Sequence, residues 1–182
     1  TKTIHDADGL WLTPGLLDIH THEDLEAELD PGLPEVVRHG TTSVVVGNCS
    51  IGLAFGAQRN ERQDPIVDCF ARVENIPKSV LAKTADKAVW TKPKEYLEHL
   101  DELPLSANMA PFLPHSMLRI EVMGLQDSIS RQPSGTELLR MTGILEEALE
   151  DGYMGMSTDG LPLHFLANEP NLEKRIPTQY AS

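Results

Sequence analysis

The chain has 182 residues, of which 40% are hydrophobic and 24% charged, the balance of an ordinary globular protein with a sizeable core. Its 28 acidic and 15 basic side chains give a formal net charge of −13, which argues against a nucleic acid or an anionic membrane surface as a partner held by bulk electrostatics. No apolar stretch approaches the roughly 20 residues that a membrane span needs.

The first regular elements form a strand–helix–strand unit. A Pro-Gly turn precedes an apolar strand over 16–20, and an acidic segment, 23–28, is turn-like. A short helix over 34–39 has proline near its start and glycine just past its end, and the β-branched run 41–46 is typical of a buried strand. Because a strand, a helix and a second strand in succession form a right-handed parallel unit, the sequence predicts two adjacent parallel strands.

Three potential metal ligands follow these two strands. His20 and His22 are separated by one residue, so on a strand both side chains point to the same face. Cys49 follows the second strand, and carboxyl ends of neighbouring parallel strands meet at one edge, where active sites of such sheets lie. A cysteine sulfur together with imidazole nitrogens suits zinc best. The alternative of two surface histidines and a core cysteine stays open at this point.

The long segment 53–104 predicts a crossover that carries extra helices, over 65–73, 79–90 and 93–103. Either a lid or an oligomer contact is consistent with its length. It contains the second cysteine, Cys69, which forms no CxxC pattern or disulfide framework with Cys49, so we expect a reducing, cytoplasmic location.

The last third of the chain continues the alternation of strands and helices. A third strand is predicted over 106–113, a short helix over 117–123 and a long amphipathic helix over 134–150. A fourth strand is predicted over 153–158, and 159–182 is interpreted as loop. The apolar stripe of the long helix consists of Leu138, Met141, Leu145, Ala148 and Leu149.

Four segments together resemble a known enzyme family. Residues 14–22, Pro-Gly-Leu-Leu-Asp-Ile-His-Thr-His, look like the first barrel strand of the amidohydrolase superfamily. Residues 47–52, Gly-Asn-Cys-Ser-Ile-Gly, resemble the GNCG-type turn of the D-aminoacylase (N-acyl-D-amino-acid deacylase) branch, in which a cysteine replaces the carboxylated lysine that bridges two metals elsewhere. Residues 110–119 and 155–158 are also similar to that branch. Ser50 stands where this turn usually has glycine.

The resemblance implies an α/β fold that forms part of a (β/α)8 TIM barrel, roughly its first four βα units, with a helical insertion between strands two and three. Since a complete barrel takes about 250 residues, we expect residues 1–182 to be a single fragment of a larger hydrolase. Residues 1–12 would be the remnant of a preceding β segment, 53–104 the helical crossover and 159–182 a loop. Unpaired strand edges of such a fragment would favour self-association.

The resemblance also implies a reaction, the hydrolysis of the amide in N-acyl-D-amino acids by zinc-activated hydroxide. His20, His22 and Cys49 would bind one or two zinc ions. The catalytic aspartate is expected beyond Ser182, so no catalytic residue is assigned in this chain and the isolated chain should be inactive. The substrate partner would be a small molecule. Possible pocket residues are Asn48, His115 and His164.

Two other functions stay open on the sequence. A cyclic-amide hydrolase of the dihydroorotase or hydantoinase type shares the histidine pair but requires a lysine where Cys49 stands. A non-catalytic assembly module with a vestigial metal site is the alternative from a different class.

Overall fold

A computed structural model describes residues 2–59 and 64–181. Residues 60–63, which belong to the predicted crossover, and the two terminal residues lie outside this range. The strands of the described part are β1 (Leu16–Asp18), β2 (Thr41–Val46), β3 (Asn108–Pro111), β4 (Leu113–Pro114) and β5 (Met156–Ser157). Its helices are α1 (Glu23–Ala27), α2 (Pro34–Arg38), α3 (Pro65–Val73), α4 (Lys78–Ala85), α5 (Pro93–Glu102), α6 (His115–Met123), α7 (Leu125–Ser128) and α8 (Gly135–Asp151).

The strands form two small parallel sheets. One sheet has the order β1-β2-β3, and the other pairs β4 with β5. The predicted third strand, 106–113, is therefore two shorter strands that change neighbour at Phe112. The Phe112 N–H still donates to Val46 O at 2.9 Å, while the next N–H, that of Leu113, donates to Gly155 O at 2.8 Å. The α/β class is as predicted, whereas four complete βα units stay a prediction.

Helix α3 is fixed at both its start and its inner face. Pro65 occupies its first turn, and the side chain of Asp64 accepts a hydrogen bond from Val67 N at 3.2 Å, which caps the helix. Cys69 and Phe70 are fully buried in the larger of two apolar cores. The end of α3 is thereby held at a defined position beside β1 and β2.

The acidic segment 23–28 was predicted to be turn-like, but it contains helix α1. Acidic side chains in the first turn, Glu23, Asp24 and Glu26, face the positive end of the helix dipole. Leu25 and Ala27 are buried. A run rich in acidic residues can therefore form a helix whose apolar positions, here Leu25 and Ala27, pack into the core.

Strand β1 and helix α4 are both shorter than predicted. Strand β1 ends at Asp18, so His20 and His22 lie in the loop beyond it and the alternation argument applied to them was wrong. Helix α4 ends at Ala85 instead of Trp90, because the indole N–H of Trp90 donates to Leu53 O at 2.5 Å and draws the chain into the core.

Helix α8 confirms the long predicted helix, but part of its predicted apolar stripe is exposed. Ser134 and Glu137 form a capping box at its start. Met141 and Ala148 are buried, whereas Leu138 and Leu149 remain exposed, since no element of the described chain covers them. The predicted loop 159–182 contains one short 3₁₀ turn, Pro177–Tyr180. No described helix combines the length and apolar character needed to cross a membrane.

Candidate metal centre

His20, His22 and Cys49 come together at the carboxyl edge of β1 and β2, as the strand–helix–strand pattern predicted. One ligand atom from each residue lies within 4.8 Å of the others. Nε2 of His20 is 3.1 Å from Sγ of Cys49. The two imidazole rings are 6.1 Å apart and arranged edge to face. Three donors of the kind that zinc prefers thus surround one small space.

The loop after β2 places Cys49 through a left-handed backbone. Gly47, Cys49 and Ser50 have φ angles of +73°, +51° and +62°. A Cβ on Gly47 would lie 2.4 Å from the backbone oxygen of Phe112, so only glycine fits there. Ser157 Oγ donates to Gly47 O at 2.5 Å and accepts from Ser50 N at 3.1 Å. Strained backbone held by such contacts is typical of functional sites.

Asn48 joins this loop to the histidine loop. Its side-chain amide donates to Val45 O at 2.9 Å and to Thr21 O at 3.2 Å, between His20 and His22. Thr21 N and Oγ1 both donate to Val45 O as well. Asn48, predicted as a pocket residue, is therefore buried, and its hydrogen bonds fix the spacing of the two loops that carry the three candidate ligands.

His22 is a neutral imidazole at neutral pH. Burial, together with the nearby imidazoles of His20 and His164, lowers its pKa to about 4. Its Nε2 lies 3.1 Å from Oε1 of Glu74, while its Nδ1 is buried without a partner among the described residues. A neutral ring with an unused nitrogen lone pair is the form that binds metal ions.

Cys49 is in an environment unsuited to a free thiolate. Burial, together with the carboxylates of Asp159 and Glu74, raises its pKa to about 11. A nucleophilic cysteine needs the opposite, a cationic environment that lowers its pKa. A bound cation would supply that positive charge and displace the thiol proton. The donor set consists of one sulfur and two imidazoles, one of which is the neutral ring of His22. This set therefore fits zinc.

Residues 159–181, here called the strap, cross this edge of the sheets. His164 Nδ1 lies 3.0 Å from Oδ2 of Asp159, and Gln179 Nε2 donates to the same oxygen at 2.8 Å. Asp68 on α3 accepts hydrogen bonds from Ala167 N and Asn168 N, which ties the strap to that helix. The strap thus brings a carboxylate–imidazole pair to the cleft, and only 12% of the His164 side chain is exposed.

His115, the third predicted pocket residue, lies under the strap. Its Nδ1 is 2.8 Å from Oγ1 of Thr178, and burial lowers its pKa to about 4. The neighbouring Ser116 Oγ accepts from Thr178 N at 3.0 Å and lies 2.8 Å from Ser50 Oγ. His115 therefore belongs to the packing that connects the strap to the loop of Cys49.

Three acidic residues near the centre were missed in the sequence. Asp159 directly follows the predicted fourth strand, 153–158, a signal that could have found it. Glu74 follows α3, and only the packing of that helix brings it to His22. Asp24 is fully buried with neither carboxyl oxygen bonded among the described residues, and burial raises its pKa to about 7. A cavity of about 590 Å³ between α5 and α8 contains none of the predicted site residues.

Comparisons with known sequences identify relatives over nearly the whole chain. No family model matches it. An uncharacterized protein of Mycobacterium tuberculosis is 39% identical over 180 residues, which cover 97% of this chain and 29% of that protein. An N-acyl-D-aspartate deacylase of Alcaligenes xylosoxydans xylosoxydans is 33% identical over 153 residues, which cover 84% of this chain and 27% of the enzyme.

Solved structures point the same way. One is a D-aminoacylase whose binuclear metal center has been studied for its functional role. It superposes with a TM-score of 0.66 at 26% identity, and the match covers 93% of this chain and 29% of the enzyme. An N-acyl-D-glutamate deacylase from Bordetella bronchiseptica, complexed with zinc and a phosphonate inhibitor, gives 0.61 at 29% identity, covering 80% of this chain and 27% of that one. The chain spans about 29% of the length of its relatives. It is homologous to one region of the D-aminoacylases and N-acyl-D-glutamate deacylases of the amidohydrolase superfamily, which confirms the predicted resemblance.

Proposed function

We propose that the protein to which this sequence belongs is a metal-dependent hydrolase that cleaves the amide of N-acyl-D-amino acids, and that His20, His22 and Cys49 hold its zinc. The observation that carries the proposal is the convergence of these three donors within 4.8 Å at the carboxyl edge of two parallel strands. The named deacylase relatives support the substrate class. They favour neither the cyclic-amide hydrolase nor the assembly module with a vestigial metal site.

The residues of this chain bind and orient in the proposed reaction. His20 and the neutral His22 present nitrogen lone pairs, and Cys49 gives up its proton to the solvent when the cation binds. Bound zinc would polarise the substrate carbonyl and lower the pKa of a water to about 7. The catalytic aspartate is not assigned to residues 1–182, so the isolated chain is expected to bind metal weakly and to be inactive.

The strap would form one wall of the substrate pocket. His164 is held by Asp159 at 3.0 Å, which leaves its Nε2 without a hydrogen-bond partner in the described part of the chain. His115 would support this wall from below through Thr178. Asn48 would act on the pocket only indirectly, by fixing the loop of Cys49.

The same proposal includes the architecture and location of the protein. The parallel order β1-β2-β3, the change of neighbour at Phe112 and the pair β4-β5 are consistent with an arc of a (β/α)8 barrel. Segments 1–12, 53–104 and 159–182 would be the end of a preceding β segment, a helical crossover and the strap-bearing loop. Two free cysteines favour a reducing, cytoplasmic environment.

The test is a hydrolysis assay on the product of the complete gene and on the 182-residue chain. N-acetyl-D-amino acids, their L enantiomers and a hydantoin are offered, before and after zinc removal by a chelator. We expect the gene product to hydrolyse the D substrates only when zinc is present, and the 182-residue chain to be inactive. Hydrolysis of the hydantoin alone, or activity that survives complete zinc removal, would contradict the proposal.

A further inference from the structure

Glu74 lies beside one of the candidate ligands, His22, although no metal-binding pattern in the sequence includes it. Its Oε1 is 3.1 Å from Nε2 of His22. It also lies within electrostatic range of the imidazoles of His164 and His20. The carboxylate therefore contacts one histidine of the centre and is close to two others.

The fold holds Glu74 in place from two sides. It is the residue that ends α3, where its N–H donates to Phe70 O at 2.9 Å. The next residue, Asn75, turns the chain with a φ of +53°. The Phe70 ring is fully buried and packs edge to face against the His22 ring at 5.9 Å. Glu74 and His22 are thus positioned by the same residue, Phe70, through its backbone carbonyl and its ring respectively.

This position is unfavourable for a carboxylate that serves only stability. The carboxyl end of a helix carries partial negative charge and repels an acidic side chain. Within residues 2–59 and 64–181, no lysine or arginine forms an ion pair with Glu74. A cation bound by His22 would supply the positive charge that this carboxylate lacks among the described residues.

We propose that Glu74 is a positioning residue of the metal centre, whose carboxylate fixes the ring of His22 and adds negative charge beside the bound cation. Metal-binding histidines usually share a ring N–H with a carboxylate, and removal of such a partner weakens metal binding about 10- to 100-fold. The inference rests on the proposed function, because the orientation of His22 matters here only if His22 binds metal.

The experiment compares Glu74→Gln with Glu121→Gln in the 182-residue chain. Gln keeps the shape of Glu and removes the charge. Glu121 is a matched control, since 29% of its side chain is exposed against 25% for Glu74, and it contacts Gln58 and Arg140 instead of the centre. Zinc affinity is measured by competition with a coloured chelator, and the melting temperature is measured without metal.

We expect Glu74→Gln to bind zinc about 10- to 100-fold more weakly than the wild type, and Glu121→Gln to stay within about threefold. The metal-free melting temperature of Glu74→Gln should equal or exceed that of the wild type, because the repulsion between the carboxylate and the carboxyl end of α3 is removed. Zinc affinity of Glu74→Gln within about threefold of wild type overturns the inference, and so does a lower melting temperature that accompanies the loss. A wild-type chain that binds no zinc overturns the metal centre itself, whereas failure of Glu74 alone leaves wild-type zinc binding intact.

Discussion

The two flanks of the sheets differ in which side chains they bury. At the carboxyl edge, the polar residues Asn48 and Ser50 are buried and hydrogen-bonded within the loops of the candidate metal centre and to α6. At the free edge of β1, apolar residues are exposed, with 58% of Leu16 and 60% of Leu17 accessible. Polar side chains are therefore buried at the flank that holds the candidate metal centre, whereas no described element covers the apolar side chains at the other flank.

This difference separates two kinds of substitution. Changes at the carboxyl edge should disturb a strained and closely packed loop, and with it the positions of His20, His22 and Cys49. Changes at the edge of β1 should leave the folded chain intact and alter only what it contacts. The predictions that follow test this contrast, in order of decreasing effect.

The largest effect is expected for Gly47→Ala. Its φ of +73° strains any other residue, and the new Cβ would lie 2.4 Å from Phe112 O. We expect a loss of about 3 kcal/mol or more in the free energy of unfolding, measured by urea denaturation. The control is Gly40→Ala, at a φ of +82° with nothing within 4 Å of the new Cβ, which should cost only about 1 kcal/mol. Equal losses in the two variants would show that the close approach at Phe112 is unimportant.

A smaller effect is expected from the ionisation of His115. Burial, with Arg119 nearby, lowers its pKa from 6.5 to about 4 in the folded chain, so between these values the unfolded chain takes up the proton first. Its contribution is thus present above pH 6.5 and is lost as the pH falls towards 4. Discounted for partial exposure, the loss is about 2 kcal/mol.

The measurement is the free energy of unfolding of the wild type and His115→Gln at pH 7 and pH 4.5. The difference between the two pH values should be smaller in His115→Gln, because the residue that takes up the proton is gone. His39→Gln is the control, since that side chain is 71% exposed, and it should keep the wild-type pH dependence. If His115→Gln and His39→Gln behave alike, the buried neutral state of His115 is refuted.

The smallest effect on stability is expected for Leu17→Lys on the open edge of β1. An exposed apolar strand edge favours pairing with a second copy of the chain, and a lysine there opposes it. Light scattering should show self-association of the wild type that decreases in the variant, with unfolding free energy within about 0.5 kcal/mol of wild type. A wild-type chain that is monomeric at all concentrations would contradict the prediction that the edge of β1 drives self-association.

The convergence of the candidate ligands was predictable because it depends on local topology. Two adjacent parallel strands joined by a helical crossover bring His20 and Cys49 to the same edge, whatever the exact end of β1. Ser50 was predicted only as a departure from glycine, and its φ of +62° shows why glycine is usual in that turn. Information carried by strand order and turn geometry was therefore present in the sequence.

The remaining parts of the cleft depend on packing between distant segments. Glu74 reaches His22 only because α3 is buried through Phe70, and the pair Asp159–His164 only because the strap is tied to Asp68. No periodicity or motif encodes such contacts. The exposure of Leu138 on α8 was missed for a related reason, since a sequence pattern identifies an apolar face but not whether another element covers it.

The most direct test of the central claim is zinc binding by Cys49→Ala and Cys69→Ala variants of the product of the complete gene. Sγ of Cys49 lies 3.1 Å from Nε2 of His20. Cys69, on α3, is fully buried in the apolar core and belongs to no group of potential ligands among the described residues. Bound zinc is determined by elemental analysis after dialysis, with cobalt absorption as an independent report of sulfur ligation. We predict that Cys49→Ala loses zinc and the sulfur-to-cobalt band while Cys69→Ala keeps both. Equal losses, or a greater loss in Cys69→Ala, would contradict a metal centre at His20, His22 and Cys49.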